Sequence, residues 1–118
     1  MSDYVDVILV IPVQVVEQAN RVAAIFDPDT GGEHTFGGCL LSPDGAAPAT
    51  HSMASTIMKP EYMAILSDPE QAFAALAQLA QEYGRAAPIE ADVQDFCNNV
   101  SIGEPEGLLR IVEQEPAA

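Results

Sequence analysis

The chain has 118 residues, 48% of them hydrophobic, and eighteen acidic side chains face only four basic ones, for a net charge of −14 at pH 7. This charge argues against direct binding to nucleic acids and to anionic membranes, because both depend on lysine and arginine to contact phosphate groups. The longest apolar stretch, residues 7–13, is interrupted by Pro12 and is much shorter than the roughly 20 residues of a membrane-spanning helix.

Length and cysteine content predict one small domain in a reducing environment. A chain of this length fits a single domain, which we place at residues 1–112, with residues 113–118 as a C-terminal tail. Cys39 and Cys97 are too few for a disulfide framework, so we expect free, buried thiols. Residues 1–3 carry no basic leader of the kind that starts a secretory signal. Together these features predict a cytoplasmic protein.

The chain is predicted to open with a strand followed by a helix. Residues 4–11 form the strand, with apolar side chains on both faces, which indicates cover at least partly on each side. One face carries Val5, Val7, Leu9 and Ile11, and the other carries Ile8 and Val10. Residues 13–26 repeat apolar side chains at steps of three and four, as an amphipathic helix does. The turn formers of residues 27–32 end this helix.

A hairpin is predicted next. Residues 34–42 form a strand that Gly37 and Gly38 weaken, with a bulge at the two glycines. Pro43, Asp44 and Gly45 indicate a turn, and residues 49–58 form the returning strand.

Three helices and a last strand complete the prediction. A short helix covers residues 61–66. The next helix begins with Asp68 as its cap, Pro69 at the first helical position and Gln71 where a capping-box partner stands. Its apolar stripe, which Gly84 ends, comprises Ala72, Phe73, Leu76, Leu79, Ala80 and Tyr83. Residues 89–98 form a third helix that buries Ile89, Val93, Phe96 and Cys97, and residues 108–112 form the last strand.

This order of elements predicts an α+β domain. The pattern, with one or more helices before the last strand (β-α-β-β-α-α-β), matches the split β-α-β arrangement of ferredoxin-like domains. The helices are then expected to cover one face of the sheet.

No candidate metal site in the sequence has both the ligands and the spacing that a metal ion requires. Asp27-x-Asp29-x-Gly31 looks like the start of a calcium loop, but glycines stand at the fifth and twelfth positions, Gly31 and Gly38, where oxygen ligands are needed. The possible zinc ligands lack paired short spacing; they are His34, Cys39, His51 and Cys97. We therefore expect no metal and no cofactor.

Catalytic and phosphate-binding motifs are also unassigned. His51 with Ser52 and Ser55 suggests a hydrolase, yet the Gly-x-Ser-x-Gly elbow is missing, so His51 is interpreted as structural. The glycine pairs at 31–32 and 37–38 lack the remaining residues of a phosphate-binding loop. Carboxylate pairs such as Asp92 and Asp95 are expected from composition alone in so acidic a chain.

The first half of the chain combines the opening strand, the run Phe26-Asp27-Pro28-Asp29-Thr30-Gly31-Gly32, and His51 followed by Ala54-Ser55. In these features it resembles short uncharacterised proteins of marine tailed phages and environmental DNA. That group brings no assigned activity, and the resemblance implies a small accessory protein.

Three functional hypotheses follow. The first is a non-enzymatic accessory or interaction protein that forms a homo-oligomer, since small α+β domains often pair through sheet faces or edges. The second is an acidic decoy that binds a basic nucleic-acid-handling protein in place of its polyanion. The third is a small enzyme or ligand-binding domain with a cleft between sheet and helices. Its first candidate residues are Asp27, Asp29, His34 and His51.

Overall fold

A computed structural model describes residues 4–26, 36–46, 48–105 and 107–112. In these ranges a five-stranded sheet packs against four α-helices. The strands are β1 (Val5–Pro12), β2 (Cys39–Ser42), β3 (His51–Met58), β4 (Ser101–Ile102) and β5 (Arg110–Ile111). The helices are α1 (Val16–Phe26), which a 3-10 turn (Val13–Val15) precedes, α2 (Pro60–Ile65), α3 (Pro69–Tyr83) and α4 (Glu90–Asn99). The strand order is β4-β1-β3-β2-β5, and every neighbouring pair is antiparallel. The predicted α+β class is confirmed.

The long ladder between β1 and β3 sets the two faces of the sheet. Leu9 pairs with Ala54 and Ile11 with Ser52, so their side chains share the face that the helices cover. The predicted alternation along β1 is therefore confirmed. On the opposite face Val10 and Leu41 are also buried, which confirms that the sheet is covered at least partly on each side.

The core lies between the sheet and the helical layer, and Phe96 of α4 is at its centre. Phe96 is fully buried, with the rings of Phe26 and Phe36 at centroid distances of 6.1 Å and 6.5 Å. Aromatic pairs at such distances add stability beyond the apolar area they bury. α3 contributes Leu76 and Leu79 to the same core. None of the helices in the described ranges has both the length and the apolar character required to cross a bilayer.

Helix α3 begins and ends as predicted. The Asp68 carboxylate accepts hydrogen bonds from the backbone N–H groups of Glu70 and Gln71, and Pro69 occupies the first helical position. Gly84 ends the helix in the left-handed conformation (φ 66°), which glycine adopts without a steric penalty. Most of the predicted stripe is buried, but Tyr83 at the end of the helix is 37% exposed.

The ferredoxin-like strand order is not confirmed. The predicted last strand is reduced to β5, which pairs with β2 at the far edge of the sheet. The place beside β1 is taken instead by β4, a two-residue strand that the sequence did not indicate. The segment between β3 and β4 holds the three predicted helices, which are α2, α3 and α4.

Two further predictions need correction. Ile89 was expected to be buried, but it precedes α4 as the N-cap residue and is 56% exposed. The strand expected over residues 34–42 begins only at Cys39, because Gly37 takes a positive φ of 104° in a turn. The predicted turn at 27–32, His34 and the tail at 113–118 lie outside the described residues.

Candidate ligand-binding cleft

A cleft of about 400 Å³ opens between α1, the first turn of α4 and the segment 85–89 that joins α3 to α4; we call it the α1–α4 cleft. Its volume is within the usual range of small-molecule sites. The charged residues that line it are Arg21, Arg85 and Asp92. Its walls are otherwise apolar and comprise Val22, Ala24, Ile25, Ala86, Pro88 and Ile89, with Ala87 beside them.

Arg21 and Asp92 join α1 to α4 at one side of the cleft. The Arg21 Nε and Nη2 atoms donate to the two Asp92 carboxylate oxygens at 2.7 Å and 3.0 Å. The Asp92 residue is 6% exposed, whereas the Arg21 side chain is 52% exposed. The hydrogen bond to Asp92 raises the pKa of the Arg21 guanidinium, so this side chain stays charged. A paired geometry of this kind fixes the orientation of the guanidinium plane.

Arg85 joins the end of α3 to the end of α1. Its Nη1 atom donates to the backbone oxygens of Ala24 and Ile25 at 3.1 Å and 2.9 Å. The guanidinium also lies 4.8 Å from the centre of the Tyr83 ring. The last turn of α1 has no basic residue of its own, so Arg85 supplies the positive charge that stabilises a helix C-terminus.

The wall of the cleft formed by the segment that joins α3 to α4 is apolar and open to water. Ile89 stands at the N-cap position of α4, where no side-chain hydrogen bond caps the helix. Ala86 and Ala87 are exposed beside it, while Val22 and Ile25 form a buried floor. The cleft therefore combines exposed apolar surface with two fixed guanidinium groups.

The residues proposed for a hydrolase do not meet. Ser52 is buried on the helix side of β3, where its hydroxyl accepts from the Gly37 N–H (2.6 Å) and donates to the Cys39 oxygen (3.0 Å). His51 lies on the opposite face, with its Nδ1 2.9 Å from the Thr50 hydroxyl. Ser55 shares that face but lies four residues along the strand, roughly 13 Å away at about 3.3 Å per residue. The strand thus holds the histidine apart from both serines.

The zinc interpretation also fails for the residues that can be placed. Cys39 and Cys97 are free, and they lie on opposite sides of the sheet. Burial, together with the charge of Asp68, raises the pKa of the Cys97 thiol to about 11. No three histidine, cysteine, aspartate or glutamate side chains converge in the described ranges. Asp27, Asp29, Gly31 and His34 lie outside those ranges.

The interpretation of Asp92 and Asp95 as a product of composition is incomplete, because Asp92 is the buried partner of Arg21. Asp95 is only partly buried. One sequence signal could have identified Asp92: it lies beside Val93 and four residues before Phe96, on the apolar side of α4. A carboxylate in such a position needs a charged partner.

Two other depressions are smaller than the α1–α4 cleft. A groove of about 200 Å³ near the starts of α3 and α4 is lined by Glu70, Phe73, Glu90 and Gln94, with Pro69 at its edge. A cavity of about 20 Å³ beneath α2 is entirely apolar and has room for about one water-sized probe.

Comparison with known proteins adds no relative to this description. The chain matches no protein-family model, no curated protein and no solved structure.

Proposed function

We propose that this chain is a non-enzymatic accessory protein that acts by binding, and that the α1–α4 cleft receives a small, largely apolar molecule. The observation that carries the proposal is the apolar wall around Ile89, which is exposed to water beside a concave site of about 400 Å³. Covering apolar surface is favourable by roughly 25 cal/mol per Å², so a ligand of matching shape gains free energy there.

Three side chains that could serve chemistry have structural roles, and this supports binding over catalysis. The Ser52 hydroxyl is buried and used by two backbone groups. His51 is paired with the neighbouring Thr50 hydroxyl. The raised pKa of Cys97 keeps its thiol protonated near neutral pH, whereas a nucleophilic cysteine works as the thiolate.

A neutral apolar probe tests the proposal. We expect 1-octanol, titrated into the ¹⁵N-labelled chain, to shift the amide resonances of Val22, Ala87 and Ile89 in a saturable way. The variant Ile89→Asn removes part of the apolar wall and should weaken this binding. The matched control Leu108→Asn makes the same change at a residue that is 81% exposed and outside the cleft. Shifts that are absent, or that lie elsewhere, would overturn the proposal.

Self-association is a second candidate, and the exposed side chains of Leu108 and Ile111 favour it. They are 81% and 63% exposed, and Ile111 is in β5 at one end of the strand order. The two-residue length of β4 and β5 acts against pairing through the edges, since short edge strands limit it. Light scattering over a range of concentrations decides this, with the double variant Leu108→Asn/Ile111→Asn expected to be monomeric.

A basic protein partner in the cytoplasm is the remaining alternative, and the net charge of −14 supports it. A partner held by charge should be released by high salt, whereas a ligand held by apolar contact should not. Capture of a basic partner that resists salt would contradict the decoy hypothesis.

A further inference from the structure

The positive charge of Arg21 is balanced by acids of the same two helices. Its guanidinium is paired with the Asp92 carboxylate at 2.7 Å and 3.0 Å. The hydrogen bond to Asp92 and, to a smaller extent, the negative charges of Asp92 and Glu17 raise the pKa of the Arg21 guanidinium. Glu90 is a further acid in the first turn of α4. This side of the α1–α4 cleft therefore has no unbalanced positive charge with which to attract an anion.

The accessible polar side-chain atoms on this side of the cleft are hydrogen-bond donors. Both Asp92 carboxylate oxygens accept from Arg21, and Asp92 is only 6% exposed. A guanidinium has five N–H groups, of which Asp92 engages one on Nε and one on Nη2. The N–H groups of Nη1 remain, on a side chain that is half exposed and lines the cleft. A ligand can therefore pair with this side chain through an acceptor, whereas an ammonium group, which only donates, cannot.

Arg85 is already engaged within the protein. Its Nη1 atom donates to the backbone oxygens of Ala24 and Ile25 at 3.1 Å and 2.9 Å, and its guanidinium lies 4.8 Å from the centre of the Tyr83 ring. The polar contact of a ligand is therefore assigned to Arg21 alone.

We infer that the α1–α4 cleft binds a neutral molecule with an apolar body and a carbonyl oxygen, such as an aliphatic ketone or ester, and that this oxygen accepts from Nη1 of Arg21. The inference rests on the proposed function and specifies its ligand class. The apolar body covers Ile89, which is otherwise 56% exposed. Because Asp92 already fixes the guanidinium, a ligand that accepts from Nη1 immobilises little additional side chain. A carboxylate would lose its hydration beside a guanidinium that is already paired.

Three probes test the inference on the unmodified, ¹⁵N-labelled protein: 2-octanone, octanoate and octylammonium. Binding is followed from the amide shifts of Val22, Ala87 and Ile89, in about 0.15 M salt, which screens the attraction of a cation to the acidic surface. We expect 2-octanone to bind about tenfold more tightly than either ion, because the ions lose hydration in the cleft without gaining an opposite charge that is free to pair.

The outcomes separate the inference from the proposed function, which 1-octanol tests. If 1-octanol binds but 2-octanone binds no more tightly than octanoate or octylammonium, the cleft takes apolar molecules without selecting a neutral carbonyl compound, and the inference alone is wrong. If no probe binds, 1-octanol included, the proposed function is wrong as well.

Substitutions then test the contact with Arg21. The double variant Arg21→Met/Asp92→Leu removes the donors and leaves no unpaired carboxylate buried. It should bind 2-octanone about tenfold more weakly, as the loss of one hydrogen bond to a charged donor allows. It should not bind 1-chlorohexane more weakly, since that molecule has no strong acceptor. The control Arg110→Met removes the same side chain from β5, outside the cleft, and should leave both affinities unchanged.

A folded double variant that retains its affinity for 2-octanone would contradict the contact with Arg21. Parallel losses for 2-octanone and 1-chlorohexane would contradict it too, because the ion pair would then only shape the cleft. If circular dichroism shows that the double variant is not folded, the three-probe comparison on the unmodified chain decides.

Discussion

Helices α3 and α4 pack against each other and against α1, yet they begin in opposite ways. At the start of α3 the Asp68 carboxylate accepts from two backbone N–H groups at 3.1 Å and 3.3 Å, and from the Gln71 side chain at 2.8 Å. At the start of α4 the same position is held by Ile89, whose side chain has no hydrogen-bond acceptor and is exposed.

Stability alone does not account for this difference. Aspartate is among the preferred N-cap residues and isoleucine among the poorest. Ile89 also gains little from burial, since more than half of its surface is exposed. A residue that is unfavourable both as a cap and as a surface side chain is expected where function sets the choice. The comparison therefore links the poor start of α4 to the cleft that Ile89 lines.

The largest effect should come from the packed side of α3. We expect Leu76→Ala to lower the free energy of unfolding by about 2–5 kcal/mol, because Leu76 is buried against the core. The exposed control Gln78→Ala should change it by no more than about 0.5 kcal/mol. Urea unfolding of both variants measures the two values. Equal values would mean that α3 does not present this stripe to the sheet.

The second effect is a gain in stability at the start of α4. Ile89→Asn supplies the missing cap, and we expect it to raise the free energy of unfolding by about 1 kcal/mol. The same variant should weaken ligand binding in the α1–α4 cleft. Thermal melts and the probe titration measure the two effects separately.

The reverse substitution serves as the control for that gain. Asp68→Ile gives α3 an isoleucine at its N-cap position, as in α4, and should destabilise the chain without affecting the cleft. If Ile89→Asn lowers the free energy of unfolding, Ile89 makes a contact that stabilises the fold more than a cap does. The choice of isoleucine is then explained by stability and does not indicate function.

The two helix starts also mark what the sequence can predict. The start of α3 follows from Asp68, Pro69 and Gln71, which interact within one turn, so local sequence is sufficient. The exposure of Ile89 depends on which elements pack beside it. The apolar repeat identifies the buried face of α4, but it does not show at which residue the burial begins.

Contacts between residues that are distant in the sequence could not be predicted either, because they also depend on how the elements pack. Arg21 and Asp92 are 71 positions apart, and only the packing of α1 on α4 brings them together. Strand β4 has two residues, too few for an alternating pattern to be recognised, and β5 keeps only two residues of the predicted last strand. The class of the fold could thus be predicted, whereas the cleft and the sheet edges could not.

A smaller effect should be seen in acid, at the cap of α3. Hydrogen bonds from the Gln71 side chain and backbone, and from the Glu70 N–H, lower the pKa of Asp68 below its ordinary 3.8. A lowered pKa in the folded state stabilises the chain above the ordinary value, and this contribution is lost as pH falls through the folded pKa.

The variant Asp68→Asn keeps a capping oxygen but does not titrate. We therefore expect stability close to that of the unmodified chain near neutral pH, and a shallower decrease below about pH 4. Urea unfolding over this range measures the slope. Parallel curves for the two proteins would show that other carboxylates cause the acid response.

The last effect concerns the reactivity of Cys97 in α4, to which Asp68 at the start of α3 makes a small contribution. Burial and, second, the charge of Asp68 raise the pKa of this thiol from 9.0 to about 11. A shift of about two units leaves about a hundredfold less thiolate near neutral pH, and the thiolate is the reactive form. The variant Cys39→Ala, which retains Cys97, should therefore react with iodoacetamide much more slowly than Cys97→Ala, which retains the partly exposed Cys39.

The contribution of Asp68 to this shift can be isolated in the Cys39→Ala background. Adding Asp68→Asn removes the carboxylate charge while retaining a capping group, so the Cys97 thiolate becomes less unfavourable and its reaction faster. The increase should be modest, because burial is the larger cause. Adding Ile89→Asn instead should leave the rate unchanged, since that residue changes the cleft and not the surroundings of Cys97. If both substitutions accelerate the reaction equally, the thiol is exposed by general loosening of α4, and the two helix starts do not act independently.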